Sequence, residues 1–529
     1  MNLRTSRAHL ARPTRTAVAS AAAVALGLTL AAAPAQAAGE TDAAVSWVDS
    51  QLVDGLVVNQ AFGSPDVGLS IDAGLLALEQ GDDDLAQRVY AAVVPAIDGG
   101  DFPYSGGGVA GGEGEVYVNA IAKAARFVQL AGGDARDVNG RDLIADLEVL
   151  TDDATGRIAD QSQFGDFANI FGQSFAATAL TAAGSDEAAQ ALAFLLDQQC
   201  PAGGFREGLG NEDTGATCTD DAEASVDGTG LAVQLLAPLD LAAAERSAAA
   251  DWLETAQSVD GGYGAQDGQN TNSSGLAAYA LALEDRDEAA ARAADFVRGL
   301  QVRAPGVCTD EDAGAVAFNR AGFDGQKLDG ITTETVDQFV RATAQASLGL
   351  DYVSDPSADL TAVAPRAYVR ARSLQPVLVS GLASRDTVCV SNGGFGVDEV
   401  AGIDGTSTVR VTTGPGTATR TYEVADTYGR TTEVTMNVLG PTSLTVRAPF
   451  RKRQGTKMRV TATGLAAGEI AKLFVSRGDV RTAYANRDGR VVFRGVDVAR
   501  KPGKRKYVVR GKFSRTRKGS DVVRILPSR

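Results

Sequence analysis

Residues 249–283 read AADWLETAQSVDGGYGAQDGQNTNSSGLAAYALAL, and the stretch falls into three pieces. Around Trp252 and Gln257 the apolar residues recur at helical spacing. Asp260-Gly261-Gly262-Tyr263-Gly264 follows, a loop whose glycines supply backbone freedom and whose tyrosine is placed to pack back as a plug. From Asn272 the chain enters a second helix of small residues, with Asn or Ser placed to cap its exposed N–H groups. One unit is therefore helix, Gly-aromatic loop, helix.

The unit recurs about six times before residue 352. Its first helix carries an aromatic residue, a glutamine five residues on, and then a glycine: Phe194/Gln199/Gly203, Trp252/Gln257/Gly261 and Phe296/Gln301/Gly306, with a four-residue variant at Trp47/Gln51/Gly55. Two further units near Val89 and Leu143 are degenerate. The second helices align on a polar column, Asp72, Asn119, Gln173, Asp227, Asn272 and Asp337, followed by Ala, Gly, Thr and Leu at helical spacing. Helices that small pack closely on several sides and belong inside, while the aromatic and charged first helices belong outside. Six helix pairs stack as an open solenoid or a closed ring. The count of six, the inner helices apolar on most faces and the absence of an obviously polar terminal repeat favour closure, an (α/α)6 toroid over residues 38–352. The column then has two readings that are compatible, helix capping and a ring of hydrogen-bonding groups around the mouth of a pocket. Tyr263 and Phe205, with Phe102 and Tyr104, are either loop plugs or surfaces that stack on a ligand.

At 529 residues the chain exceeds the size of one core. Four arginines ahead of an Ala/Val/Leu run and an Ala35-Gln36-Ala37 site make residues 1–37 a secretory leader, without a twin arginine. No later apolar run is long enough to span a bilayer, and the tail carries no sortase-type motif. In an exported chain the four cysteines form two disulfides, paired here as Cys200 with Cys218 and Cys308 with Cys389. After Asp351 the texture turns to strand alternation, in two modules at 364–440 and 441–529 that share a phrase, VLVSGLA from Val377 and VTATGLA from Val460. Charge follows this division: residues 441–529 hold 24 Lys/Arg against 5 Asp/Glu, whereas residues 38–440 hold 22 against 61.

The motif Gln-x3-Gly-x-aromatic, at residues 257–263 and 199–205, resembles the repeat motif of squalene and terpene cyclases. The whole helical region resembles the prenyltransferase and squalene oxidase repeat superfamily, and the β modules look like the immunoglobulin-like domains of bacterial surface proteins. The resemblance implies a toroid, and, for proton-initiated cyclases, an Asp-x-Asp-Asp-Thr acid at the start of an inner helix. The matching segment here is Ser225-Val226-Asp227-Gly228-Thr229, in which Asp227 stands at the acid without flanking carboxylates. The zinc site of the similar protein prenyltransferases needs a histidine, and the only one is His9, in the leader. Cobalamin carriers share the architecture, a helical barrel followed by a β domain.

Neither a metal nor a cofactor is expected. The preferred expectation is a secreted, non-catalytic binding or adhesion protein that takes a small-molecule, glycan or protein ligand at the toroid mouth. The alternatives are a terpenoid cyclase-like enzyme using Asp227, and a glycan-active enzyme with a carboxylate pair drawn from Asp66, Asp166, Asp221, Glu223 and Asp227. The basic tail module points to anionic cell-envelope polymers rather than nucleic acid, with non-covalent association to the cell wall.

Overall fold

The computed structural model describes residues 39–528 except residues 61, 99–114, 211–216, 266–267, 367, 416–417, 440–442, 476–479 and 513–516. Residues 1–37, read from sequence as a leader, and Phe102 and Tyr104 thus lie outside the described residues. Helices pair as outer and inner: α1 (Glu40–Ser50) with α2 (Val67–Gln80), α3 (Asp83–Asp98) with α4 (Val118–Leu130), and α5 (Leu143–Leu150) with α6 (Ile170–Ala183). Then come α7 (Ala188–Asp197) with α8 (Val226–Leu236) and α9 (Ala243–Ala256) with α10 (Thr271–Leu283). The last outer helix is α11 (Asp287–Arg298); the sequence reading missed α12 (Arg320–Asp329), inserted ahead of the inner helix α13 (Val336–Ala346). Each inner helix touches the next, and α13 touches both α2 and α1, so the ring is closed.

The repeat motif is the clamp between successive units. Gln257 Nε2 donates to the carbonyls of Gly261 (3.1 Å) and of Ala289 (2.9 Å), in the first turn of the next outer helix. Gln199 does the same to Gly203 and Glu245, at 2.8 and 2.7 Å. Gln301 Nε2 reaches Gly314 (3.2 Å) and Glu40 (2.8 Å), tying the sixth unit back to the first. The partner of Gln301 is therefore Gly314, not Gly306, because the loop after α11 is longer. Each loop glycine has a left-handed φ and lies against a carbonyl of the next outer helix. A Cβ on Gly261 would stand 2.2 Å from the Arg292 oxygen, and one on Gly314 2.1 Å from that of Ala43. The outer-helix aromatics cover these loops: Trp252 lies against Gly204, Phe296 against Gly262 and Trp47 against Gly314.

Two residues beyond each of these glycines, a buried N–H donates to a side chain on the inner helix. The pairs are Val57 to Ser70 (2.9 Å), Ile158 to Gln173 (3.0 Å), Phe205 to Thr229 (2.8 Å), Tyr263 to Ser274 (2.9 Å) and Val316 to Thr343 (2.8 Å). The same bond in five units satisfies loop backbone that burial would otherwise orphan.

Past residue 360 the chain forms two β-sandwich modules with one topology. Each pairs a three-stranded sheet with a five-stranded one, and in each a short edge strand joins the five-stranded sheet in parallel, Tyr368–Arg370 on Thr431–Leu439 and Arg451–Arg453 on Lys518–Leu526. The shared phrase ends the equivalent strands Leu374–Ser380 and Lys457–Thr463 and carries the chain into the turn that follows. The first module is fastened to the toroid. Cys308 is bonded to Cys389, and Lys327 pairs with Asp398 at 2.8 Å. Arg385 lies over the Phe296 ring and donates to the Asp260 carbonyl at 3.1 Å. The second disulfide joins Cys200 to Cys218.

Candidate functional site

The ring encloses a cavity of about 440 Å³ lined by side chains from all six inner helices. A second cavity of about 650 Å³ opens at the mouth, and the two share Asn119 and Lys123 as a common wall. Small residues at the helix contacts let the six helices close in, so larger inward side chains, one helical turn apart, determine what the centre looks like.

Two residues beyond the inner-helix positions that bind the loops stand Asp72, Phe175, Leu231, Leu276 and Gln345, and Lys123 of α4 completes the layer. In ring order these six split into two arcs. Gln345, Asp72 and Lys123, on α13, α2 and α4, are hydrogen-bonded to one another: Lys123 Nζ lies 2.5 Å from Asp72 Oδ1, and Gln345 Nε2 donates to Asp72 Oδ2 at 3.1 Å. Asn272 donates to Gln345 Oε1, extending the arc to the N-terminus of α10. Phe175, Leu231 and Leu276, on α6, α8 and α10, form the apolar arc. One turn above Leu231, Asp227 lines the cavity on α8, opposite α2 in the ring. Burial pushes its carboxyl above the usual aspartate range, opposed only by a hydrogen bond with Ser273, and its Oδ1 has no hydrogen-bond partner.

The mouth carries the aromatic residues. Tyr117 stacks on Phe167 with centroids 6.3 Å apart, and Phe62, 83% exposed, stands on the same cavity wall. Asp160 holds this loop by accepting from the N–H groups of Val118 (2.7 Å) and Phe167 (2.9 Å), and burial raises its carboxyl as well.

The sequence-predicted residues divide accordingly. Asp72, Asn119 and Asp227 line the centre, with Asn272 bonded to its polar arc. Asp337 stands apart, accepting from the Gln60 N–H at 3.1 Å. Three expectations need correction. Gln173 is fully buried and supplies the clamp that α5 lacks, donating to Gly156 and Ala191 at 3.0 Å each. Phe205 and Tyr263, 0% and 1% exposed, are loop plugs equivalent to Val57, Ile158 and Val316, with no surface left for a ligand. The Tyr263 hydroxyl donates inward to the Leu253 carbonyl at 2.8 Å. Capping also falls elsewhere: Asp66, Asn169, Ser225 and Asn270 cap α2, α6, α8 and α10, so the column residues lie inside their helices. Of the proposed carboxylates, Asp66 lines the mouth, Asp166 is paired with Arg157, Glu223 with Arg206, and Asp221 accepts from the Ala202 N–H. Reading the sequence missed Lys123, Gln345, Tyr117, Phe167 and Asp160. A lysine in an amphipathic helix reads as a surface residue, and the rim residues belong to loops outside the repeat.

Asp227 yields a stability prediction. A carboxyl held above its ordinary value of 3.8 binds a proton more readily in the folded than in the unfolded chain. Its contribution is therefore present below 3.8 and is lost as pH rises through the folded value. Asp227→Asn should raise the thermal midpoint at pH 7 and reduce the loss of stability between pH 4 and 7. A midpoint lowered at pH 7 would show that the charged form is stabilised by the fold.

No protein-family model matches the chain, and no curated protein matches it. Among solved structures, a protein from Actinoplanes is similar over 59% of this chain and 98% of its own, at 15% identity and a TM-score of 0.41. A glycosidase solved in complex with glucose is similar over 60% of this chain and 97% of its own, at 14% identity and a TM-score of 0.37. The ent-copalyl diphosphate synthase from Streptomyces platensis is similar over 58% of this chain and 50% of its own, at 14% identity and a TM-score of 0.33. At these values the chemistry of the site rests on this chain's own residues.

Proposed function

We propose that the protein is a secreted, non-catalytic binding protein that holds a small amphipathic molecule at the centre of its toroid. The observation that carries this reading is the divided cavity wall. The arc of Phe175, Leu231 and Leu276 takes an apolar body, while Gln345, Asp72 and Lys123 across the ring offer donors and acceptors to a polar edge. The volume is in the range of small-molecule sites, and a few fixed polar groups on an apolar lining are what such sites use to orient a ligand. Asp72 is neutralised by Lys123, which leaves Asp227 as a single unpaired carboxyl at the centre. Glycoside hydrolysis by a pair of carboxyls needs two with separate roles.

Calorimetric titration of the full chain with a C15 isoprenoid alcohol and with a linear glucan hexasaccharide tests the proposal. The alcohol should bind, and Leu231→Trp, which fills the centre, should abolish binding. Binding of the glucan alone would move the site to the aromatic mouth and overturn the assignment. The raised carboxyl of Asp227 favours one second reading, a cyclase-like enzyme that protonates an alkene. Polyprene turnover by the wild type that disappears in Asp227→Asn would establish it, whereas intact binding without turnover supports the binding protein.

A further inference from the structure

The solvent face of the last β module carries two rows of cations set by strand register. On the five-stranded sheet, Arg451 pairs with Arg524 and Arg524 with Lys504, so three cations stand abreast across three strands. Six residues further along the strand Gly503–Gly511, Arg510 pairs with Lys518 on one side and Lys472 on the other, forming a second row. All six are exposed, and the residues between them in sequence, such as Leu473, Val509, Val523 and Ile525, are buried in the module's core. Lys506 lies between the rows on the same face, and no Asp or Glu occupies a paired position on that face. Arg510 is held over the Phe474 ring, 4.8 Å from its centroid, which orients the guanidinium without neutralising it.

Like charges directly opposite one another on a sheet destabilise it. Two such triplets on one face are a cost to the folded protein that a bound polyanion removes. Neighbours within a row are about 4.8 Å apart and the rows about 20 Å apart, so a monomeric anion engages one row while an extended chain spans both. Within each row the side chains standing abreast are all cations, with no aromatic ring among them.

From this register we infer that the solvent face of the last module is a binding site for a linear polyanion with repeated phosphate groups, independent of what the toroid holds. Four probes test it on the full chain: poly(glycerol phosphate), glycerol 3-phosphate, phosphatidylglycerol vesicles and duplex DNA. The polymer should bind more tightly than the monomer, the vesicles or the duplex, and its affinity should fall steeply as salt rises. Lys504→Thr with Arg524→Thr, and separately Lys472→Thr with Arg510→Thr, should each weaken polymer binding by about 10-fold or more. Because each change relieves repulsion, the thermal midpoint should stay level or rise. The salt dependence of the wild type needs no variant and tests the proposal if a variant fails to fold. Salt-insensitive binding, polymer affinity unaltered in both folded variants, or vesicles or duplex bound as tightly as the polymer would each overturn it.

Discussion

Arg298→Met is expected to destabilise the protein by about 3–5 kcal/mol, the cost of removing one partner from a buried charge cluster. Arg298 ends α11 and is fully buried where the toroid meets the first β module. Its Nη1 donates to the Ser354 carbonyl (3.0 Å) and the Tyr428 hydroxyl (2.9 Å), and its Nη2 to Asp295 and the Ser384 carbonyl. Asp295 in turn accepts from the N–H and hydroxyl of Ser354, at 2.9 and 2.8 Å. Methionine fills much of the volume but leaves Asp295 without its cation and the Ser384 carbonyl without its donor, while the Ser354 carbonyl keeps only the Tyr428 hydroxyl at 3.2 Å. Glu40 of α1 also belongs to this cluster. Burial raises its carboxyl, but Arg303 at 2.8 Å, with Arg298 beyond, outweighs that and holds it below the usual range. Its contribution is therefore present above its ordinary value of 4.5 and lost as pH falls through the folded one. Denaturant unfolding at pH 7 reads the loss, and a decrease below about 1 kcal/mol, the scale of an exposed ion pair, would show that the cluster is not the junction it is described as.

Replacing Cys308 and Cys389 together by serine should cost about 4.5 kcal/mol on the chain-entropy argument, against about 3 kcal/mol for Cys200 and Cys218. The difference comes from the loops closed, 81 residues against 18. The longer bridge also spans the same junction as Arg298, so the two changes should be non-additive when combined, since each releases the module that the other fastens. Thermal midpoints of both pairs of variants under one set of conditions check the order. Equal losses, or a larger loss for the short loop, would contradict it.

Much of the architecture is legible in the residues themselves. Trp252, Gln257, Gly261 and Tyr263 already contain the unit, and its recurrence gives the six pairs, because the clamp uses side chains that the repeat must keep. The chemistry of the clamp is less legible. A glutamine five residues after an aromatic shows no target, and its two carbonyl partners are placed only when the next outer helix packs. Gln173 misleads for the same reason, since an inner-helix glutamine makes the clamp in a unit whose outer helix is followed by Thr151 where α1, α7 and α9 are followed by glutamine. Asp72 and Asp227 look alike in sequence, yet one meets Lys123 from the neighbouring helix and the other meets no cation. That contrast depends on ring order, as does the division of the centre into a polar and an apolar arc.

Native mass spectrometry of the full chain purified from its own producing cells reads directly whether the toroid centre holds a ligand. The wild type should carry a small-molecule adduct that is absent from Leu231→Trp while the thermal midpoint of that variant stays near the wild-type value. An adduct retained undiminished in a folded Leu231→Trp protein would place the ligand elsewhere and contradict the assignment of the toroid centre as the binding site.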